Sequence, residues 1–135
     1  MCQATDQQII EILKMEAIPA LGCTEPVACA LACARCKEEL GGVPEKIEVY
    51  VSGNIYKNGM GVGIPGTGMV GLPIAAALGD VCGKTEYGLE VLKEVSVGDN
   101  LQVAKSMLDH NAVKISLKEN APDKLYAEAI CHKGA

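Results

Sequence analysis

A chain of 135 residues with no Phe and no Trp must build its interior from small and aliphatic side chains. Only four Tyr are present within a hydrophobic content of 49%, made largely of Ala, Val, Ile and Leu. That composition suits helices that approach closely and glycine-rich backbone contacts, not a bulky aromatic core. The length fits a single domain spanning 1–135, with enough chain to enclose a core. The densest small-residue run is ALGCTEPVACALACARCKEEL at 20–40, which holds four of the seven cysteines.

Charge narrows the function classes. A net charge of −5 argues against a phosphate-backbone partner, because nucleic-acid binders carry a basic footprint. No basic amphipathic stripe points to a membrane surface. Residues 58–79 are uncharged, but seven Gly and two Pro leave too few large apolar side chains for a span. MCQATDQQII has neither the basic nor the apolar region of a secretory signal. An odd number of cysteines without such a signal indicates a reducing compartment, so the expected location is cytoplasmic. Cysteine clusters there serve metals or catalysis more often than disulfides.

Periodicity gives the element order. Asp6 caps a predicted first helix bearing Ile9, Ile10, Leu13 and Ala17, which Pro19 ends. A second helix runs from near Thr24 to Gly41-Gly42. EKIEVYV alternates, with Ile47, Val49 and Val51 on one face, as a half-buried strand does. The glycine-rich stretch from Ser52 to Gly71 matches neither period and reads as a long loop. LPIAAALGDVCG predicts a short helix. GDNLQVAKSMLDHN predicts a longer one, with Asp99 at the N-cap and Gln102 three residues on. VKISLK and KLYAEAICHK alternate again, and the turn ENAPD between them predicts an antiparallel hairpin. The fold class is α+β: Ala-rich helices packed with a small, mainly antiparallel sheet and a long Gly-rich loop.

Several residues could carry chemistry. Thr24 is a good N-cap, and Glu25 and Pro26 suit a first helical turn. Cys23 then sits at the positive end of a helix, where a thiolate is stabilised. It is either a reactive thiol or ligand, or a small apolar residue at the helix entrance. Cys29, Cys33 and Cys36 share the C-x3-C-x2-C spacing of cluster-binding loops in radical enzymes. Here they fall inside a helical run and form one stripe with Leu40, which reads as packing. G-x-G-x-x-G occurs at Gly61-Gly63-Gly66 and at Gly66-Gly68-Gly71, without the strand, helix and acid that a dinucleotide fingerprint needs. Gly66, Thr67 and Gly68 could still offer backbone N–H groups to a carboxylate. Ser52, Asn54, Lys57 and Asn58 cluster after the first strand, where Asn-Gly also has a plain turn role.

Read in order, PALGCTEPVACALA, VSGNIYKNGMGVGIPGTGMVGLPIAAALG and GLEVLK resemble the L-cysteine desulfidase family, kin of the iron–sulfur L-serine dehydratases. The resemblance implies that Cys23 is a ligand of a [4Fe–4S] cluster whose other ligands lie outside this chain. It also implies β-elimination from L-cysteine or L-serine, giving pyruvate and ammonia, with an open iron site as Lewis acid. The substrate carboxylate would lie against Ser52, Asn54, Lys57, Asn58, Gly66, Thr67 and Gly68. Members of that family are longer. The chain is therefore expected to be an N-terminal portion, inactive alone, whose partners are a small amino acid and either its missing portion or another copy. The alternatives are a non-catalytic fragment or subunit, and a thiol- or metal-binding module.

Overall fold

The elements follow in the order β1 (Asp6–Ile12), α1 (Thr24–Leu40), β2 (Lys46–Val51), α2 (Gly53–Gly59), β3 (Gly63–Ile64), β4 (Met69–Val70) and α3 (Leu72–Cys82). A 3₁₀ helix at Thr85–Glu90, α4 (Asn100–Asp109), β5 (Val113–Leu117) and β6 (Tyr126–His132) complete them. The computed structural model describes residues 6–12 by their backbone, together with residues 24–42, 44–121 and 126–132.

The main sheet has the order β1-β6-β2-β5. β6 runs antiparallel to both β1 and β2, whereas β2 and β5 are parallel. A parallel pair needs a long crossover, and the chain from α2 through α4 supplies it. The α+β class holds, with a mixed sheet.

Two sequence expectations are corrected here. Residues 6–12 form a strand instead of the predicted helix, paired along β6 from Asp6↔His132 to Ile12↔Tyr126. Pairing with a long neighbour outweighs a cap signal and a short apolar period. β5 and β6 are not a hairpin, since β2 lies between them. Alternation fixes which face of a strand is buried, but it does not choose the strand's neighbour.

The helix α1 is the centre of the fold. Toward the sheet, Cys29, Ala32, Cys33 and Cys36 meet Ile47, Val49, Val51, Ala127, Ala129 and Cys131. Toward the other helices, Val27, Ala30, Leu31 and Ala34 meet Ile74, Ala75, Leu78 and Val91. A helix buried on both sides must be apolar nearly all round, which explains the unbroken small-residue run. Its final turns become polar and fasten it to the segment just past α3. Lys37 Nζ donates to Gly83 O at 2.9 Å, and Glu38 accepts from Thr85 N at 2.9 Å and Thr85 Oγ1 at 2.7 Å.

The cysteine stripe is buried as predicted, but Cys36 is more than filling. It forms a disulfide with Cys131, Cα–Cα 6.3 Å, tying α1 to β6. The sequence could not show this, because the bond depends on Cys131 standing on the inward face of β6 opposite α1.

The glycine-rich stretch is also more ordered than the predicted loop. Ser52 caps α2, its hydroxyl accepting from Ile55 N at 3.5 Å, and β3 and β4 form a small antiparallel hairpin. Asp99 does occupy the N-cap of α4, yet its side chain makes no capping bond. Asn100 Nδ2 instead bonds Glu94 O at 2.9 Å and anchors the helix start. Among the described residues no helix is long and apolar enough to cross a membrane.

Candidate functional site

The parallel strands β2 and β5 end side by side, with Val51 opposite Leu117. Ligands of open sheets with parallel strands gather at such carboxyl ends, where the chain leaves the ladder and exposes polar groups. Here Ser52 follows β2, Lys118 follows β5, and β6 begins between its neighbours at Tyr126. The backbone knits these points together. Lys118 N donates to Val51 O at 2.7 Å, and Ser52 N to Tyr126 O at 3.0 Å. Tyr126 N reaches Ser52 Oγ at 3.5 Å, so the Ser52 hydroxyl both caps α2 and holds the start of β6.

A charged cluster stands on this corner. Ala127, Ala129 and Cys131 face α1, so alternation turns Tyr126 and Glu128 to the opposite face. The Tyr126 hydroxyl donates to Glu128 Oε1 at 2.9 Å, and Lys118 Nζ stands 3.2 Å from the same oxygen. Glu128 is only 5% exposed, whereas the Lys118 side chain keeps 37% of its surface in solvent. Burial, then the hydrogen bond and charge of Glu128, push the Tyr126 hydroxyl up to about 12. It therefore stays a hydrogen-bond donor throughout the neutral range. The corner offers a buried carboxylate below and a part-exposed ammonium paired with it at the rim.

The sequence-derived site residues divide between this corner and elsewhere. Ser52 is buried within it, and Asn54 lies exposed on the first turn of α2 beside it. Lys57 and Asn58 are exposed further along α2, with Asn58 Nδ2 bonded to Asn54 Oδ1 at 3.4 Å. Gly66, Thr67 and Gly68 form the β3–β4 turn instead. Thr67 is its staple, donating to Ile64 O at 2.7 Å and accepting from Met69 N at 2.8 Å. Gly66 there lies against Val95 and Ser96. Thr24 and Glu25 open α1. Cys23 lies outside the described residues. Tyr126, Glu128 and Lys118 were not singled out from the sequence, since only strand pairing brings 118 and 128 next to residue 52.

A second group was missed for a different reason. Asp80 is fully buried in α3, and among the described residues neither carboxylate oxygen has a hydrogen-bond partner. Its signal was present: one acid in the otherwise apolar helix LPIAAALGDVC. Burial pushes its carboxyl well above the usual range, with the Lys37 charge opposing in part. Beside it, the hydrogen bond that the Cys33 thiol makes to Cys29, then burial and the Asp80 charge, push the Cys33 thiol well up. Such a thiol stays protonated and is a poor nucleophile. Among the described residues no group of three His, Cys, Asp or Glu side chains is placed to hold a metal ion.

Asp80 makes the domain pH-sensitive with a definite sign. Above the ordinary carboxyl pKa of about 3.9, the unfolded chain releases a proton that the folded chain keeps. Stability therefore falls as pH rises from there toward the raised folded value, by up to about 1.4 kcal/mol per pH unit. Asp80→Asn cannot ionise. Urea unfolding from pH 4 to pH 7 should show the difference between variant and parent growing with pH in the variant's favour. A constant difference would refute the buried-acid account.

No family model and no solved structure matches this chain. Curated proteins do. It is 59% identical over 127 residues to a protein of Parabacteroides distasonis, covering 94% of this chain and 29% of the relative. It is 52% identical over 134 residues to one of Bacteroides fragilis (99% and 31%), and 52% over 135 residues to one of Bacteroides thetaiotaomicron (100% and 31%). All three are named UPF0597 proteins. The chain thus spans about three tenths of the length of these curated relatives.

That name states no activity, and it corrects the sequence expectation. Relatives this similar over nearly all of this chain do not carry the desulfidase or serine dehydratase name that the motifs suggested. The iron–sulfur lyase reading is overturned. Neither alternative, the non-catalytic subunit or the thiol- or metal-binding module, gains support from the same finding.

Proposed function

We propose that this domain binds a small zwitterionic ligand of the α-amino acid class at the carboxyl ends of β2 and β5. The observation that carries this is the Lys118–Glu128–Tyr126 cluster, in which buried Glu128 and Tyr126 are reached from solvent only past the part-exposed Lys118. An amino acid's head group mirrors that pair. Its ammonium would take the place of Lys118 against Glu128, and its carboxylate would meet the displaced Lys118. Asn54, on the first turn of α2, would hydrogen-bond the carboxylate from the side. The exchange conserves charge, so neither buried Glu128 nor the ligand is left unpaired. Tyr126 keeps Glu128 oriented while Lys118 moves.

Backbone amide NMR titration with L-alanine tests this, with propionate and ethylamine as analogues carrying one charge each. Shifts should centre on Ser52, Lys118 and Glu128 for L-alanine and be much weaker for either analogue. Lys118→Ala and Glu128→Gln should each weaken L-alanine about tenfold, as loss of a hydrogen bond to a charged group does. Glu128→Gln retains an oxygen for Tyr126, which protects the fold. Equal response to all three compounds, or shifts elsewhere, would overturn the proposal.

A further inference from the structure

A second cleft lies apart from the strand-end corner. Pro65 and Gly66 of the β3–β4 turn form one wall, and Leu92, Lys93, Val95 and Ser96 form the other, around about 210 Å³. Leu92 and Val95 belong to the helix-side core, so that wall is anchored. The opposite wall is set by the Thr67 staple, which fixes the turn without help from a ligand. Gly66 adopts φ +82°, and a Cβ there would come within 3.1 Å of Val95 Cγ1 and 3.2 Å of Ser96 Oγ. A larger residue there would be strained at this φ and would press on both Val95 and Ser96, narrowing the cleft.

The lining is apolar apart from two groups. Ser96 provides a hydroxyl, and Lys93 provides the only charge among these six residues. Lys93 Nζ sits 4.0 Å from the centroid of the Tyr87 ring, which holds the ammonium by its π face. The Tyr87 hydroxyl in turn donates to Glu94 Oε2 at 2.7 Å, engaging the carboxylate of the residue next to Lys93. A benzene-sized guest needs roughly 150 Å³ of apolar space. The remainder here leaves room for one small polar group under Lys93 and Ser96.

We propose that the cleft between the β3–β4 turn and residues 92–96 is a binding site for a small carboxylate with a ring-sized apolar body. The apolar part fills the space between Pro65, Leu92 and Val95, and the carboxylate meets the Lys93 ammonium and the Ser96 hydroxyl. This site shares no residue with the amino-acid corner, so either proposal can fail alone.

Benzoate is the test ligand, with benzylamine as a control of equal size and opposite charge. In amide NMR titration, benzoate should shift Gly66, Val95 and Ser96 and leave Lys118 and Glu128 in place. It should bind about three- to fivefold more tightly than benzylamine, the range an exposed ion pair supports. Lys93→Gln should erase that preference while apolar binding persists. Ser96→Leu, at an exposed position, should fill the cleft and abolish binding of both. Benzoate shifts that fall elsewhere, an unchanged preference in Lys93→Gln, or binding that survives Ser96→Leu would each overturn the inference.

Discussion

Gly79→Ala is expected to destabilise the domain by about 3 kcal/mol or more, at the upper end of what overpacking one methyl costs. A Cβ at 79 would land on the Ala30 carbonyl oxygen and lie 2.9 Å from both the Ala30 carbonyl carbon and its Cα. Those atoms are backbone, so no side-chain rotation relieves the clash. α1 cannot retreat either, because Cys29, Ala32 and Cys33 already press its other side onto β2 and β6. The helices must separate, which loosens Ile74, Ala75 and Leu78 from Val27, Leu31 and Ala34. Alanine gains about 1 kcal/mol over glycine in helix propensity. That gain is too small to offset the lost packing. Gly61→Ala is the matched control, since a Cβ there meets nothing within 4 Å among the described residues. It should shift stability by no more than about 0.5 kcal/mol. A Gly79→Ala protein that unfolds at the parental urea midpoint would show that the α1–α3 contact is not as close as described.

The same contact shows what a sequence of this kind discloses. The run VACALACARC announces a buried helix, and the absence of Phe and Trp announces close approach. Both are local or compositional signals. The partner of Ala30 at Gly79 is forty-nine residues away and has no local signal, as nothing in LPIAAALGDVC says which helix its one glycine meets. Strands at 46–51, 113–117 and 126–132 are legible from alternation. Their order is not, because β2 can accept either neighbour on the same inward face. β1 is misread because Asp6 and the Ile9/Ile10 pair satisfy a helix start as well as a strand. Site residues follow the same division. Ser52 is found beside its strand end, whereas Lys118 and Glu128 join it only through parallel and antiparallel pairing. Asp80 is visible as an acid in an apolar helix, yet it is easily passed over, since a short helix with one charge normally turns it to solvent.

Reducing the Cys36–Cys131 bond is expected to cost the domain about 2–4 kcal/mol, the usual range for a native disulfide. The bond spans 95 residues, nearly the whole path from α1 to β6. Chain-entropy arguments assign such long loops the larger stabilisation, about 4.7 kcal/mol for 100 residues. It also joins the central helix to one of the two strands paired on both sides, so the unfolded chain loses its most global freedom when the bond is present. Both cysteines are fully buried, so a reductant can act only when α1 and β6 part. Reduction by dithiothreitol should therefore be slow in buffer and accelerate as urea nears the unfolding midpoint. The double variant Cys36→Ala, Cys131→Ala should unfold early whether or not reductant is present, which separates the covalent link from reductant effects elsewhere. Cys33→Ala supplies the packing reference. Its thiol is equally buried but unlinked, so its loss should cost only the small cavity, about 1 kcal/mol, and leave the reductant response intact. Urea midpoints that coincide for oxidised and reduced protein, with alkylation and mass spectrometry confirming both states, would mean that packing of α1 on β6 holds the fold without the bond.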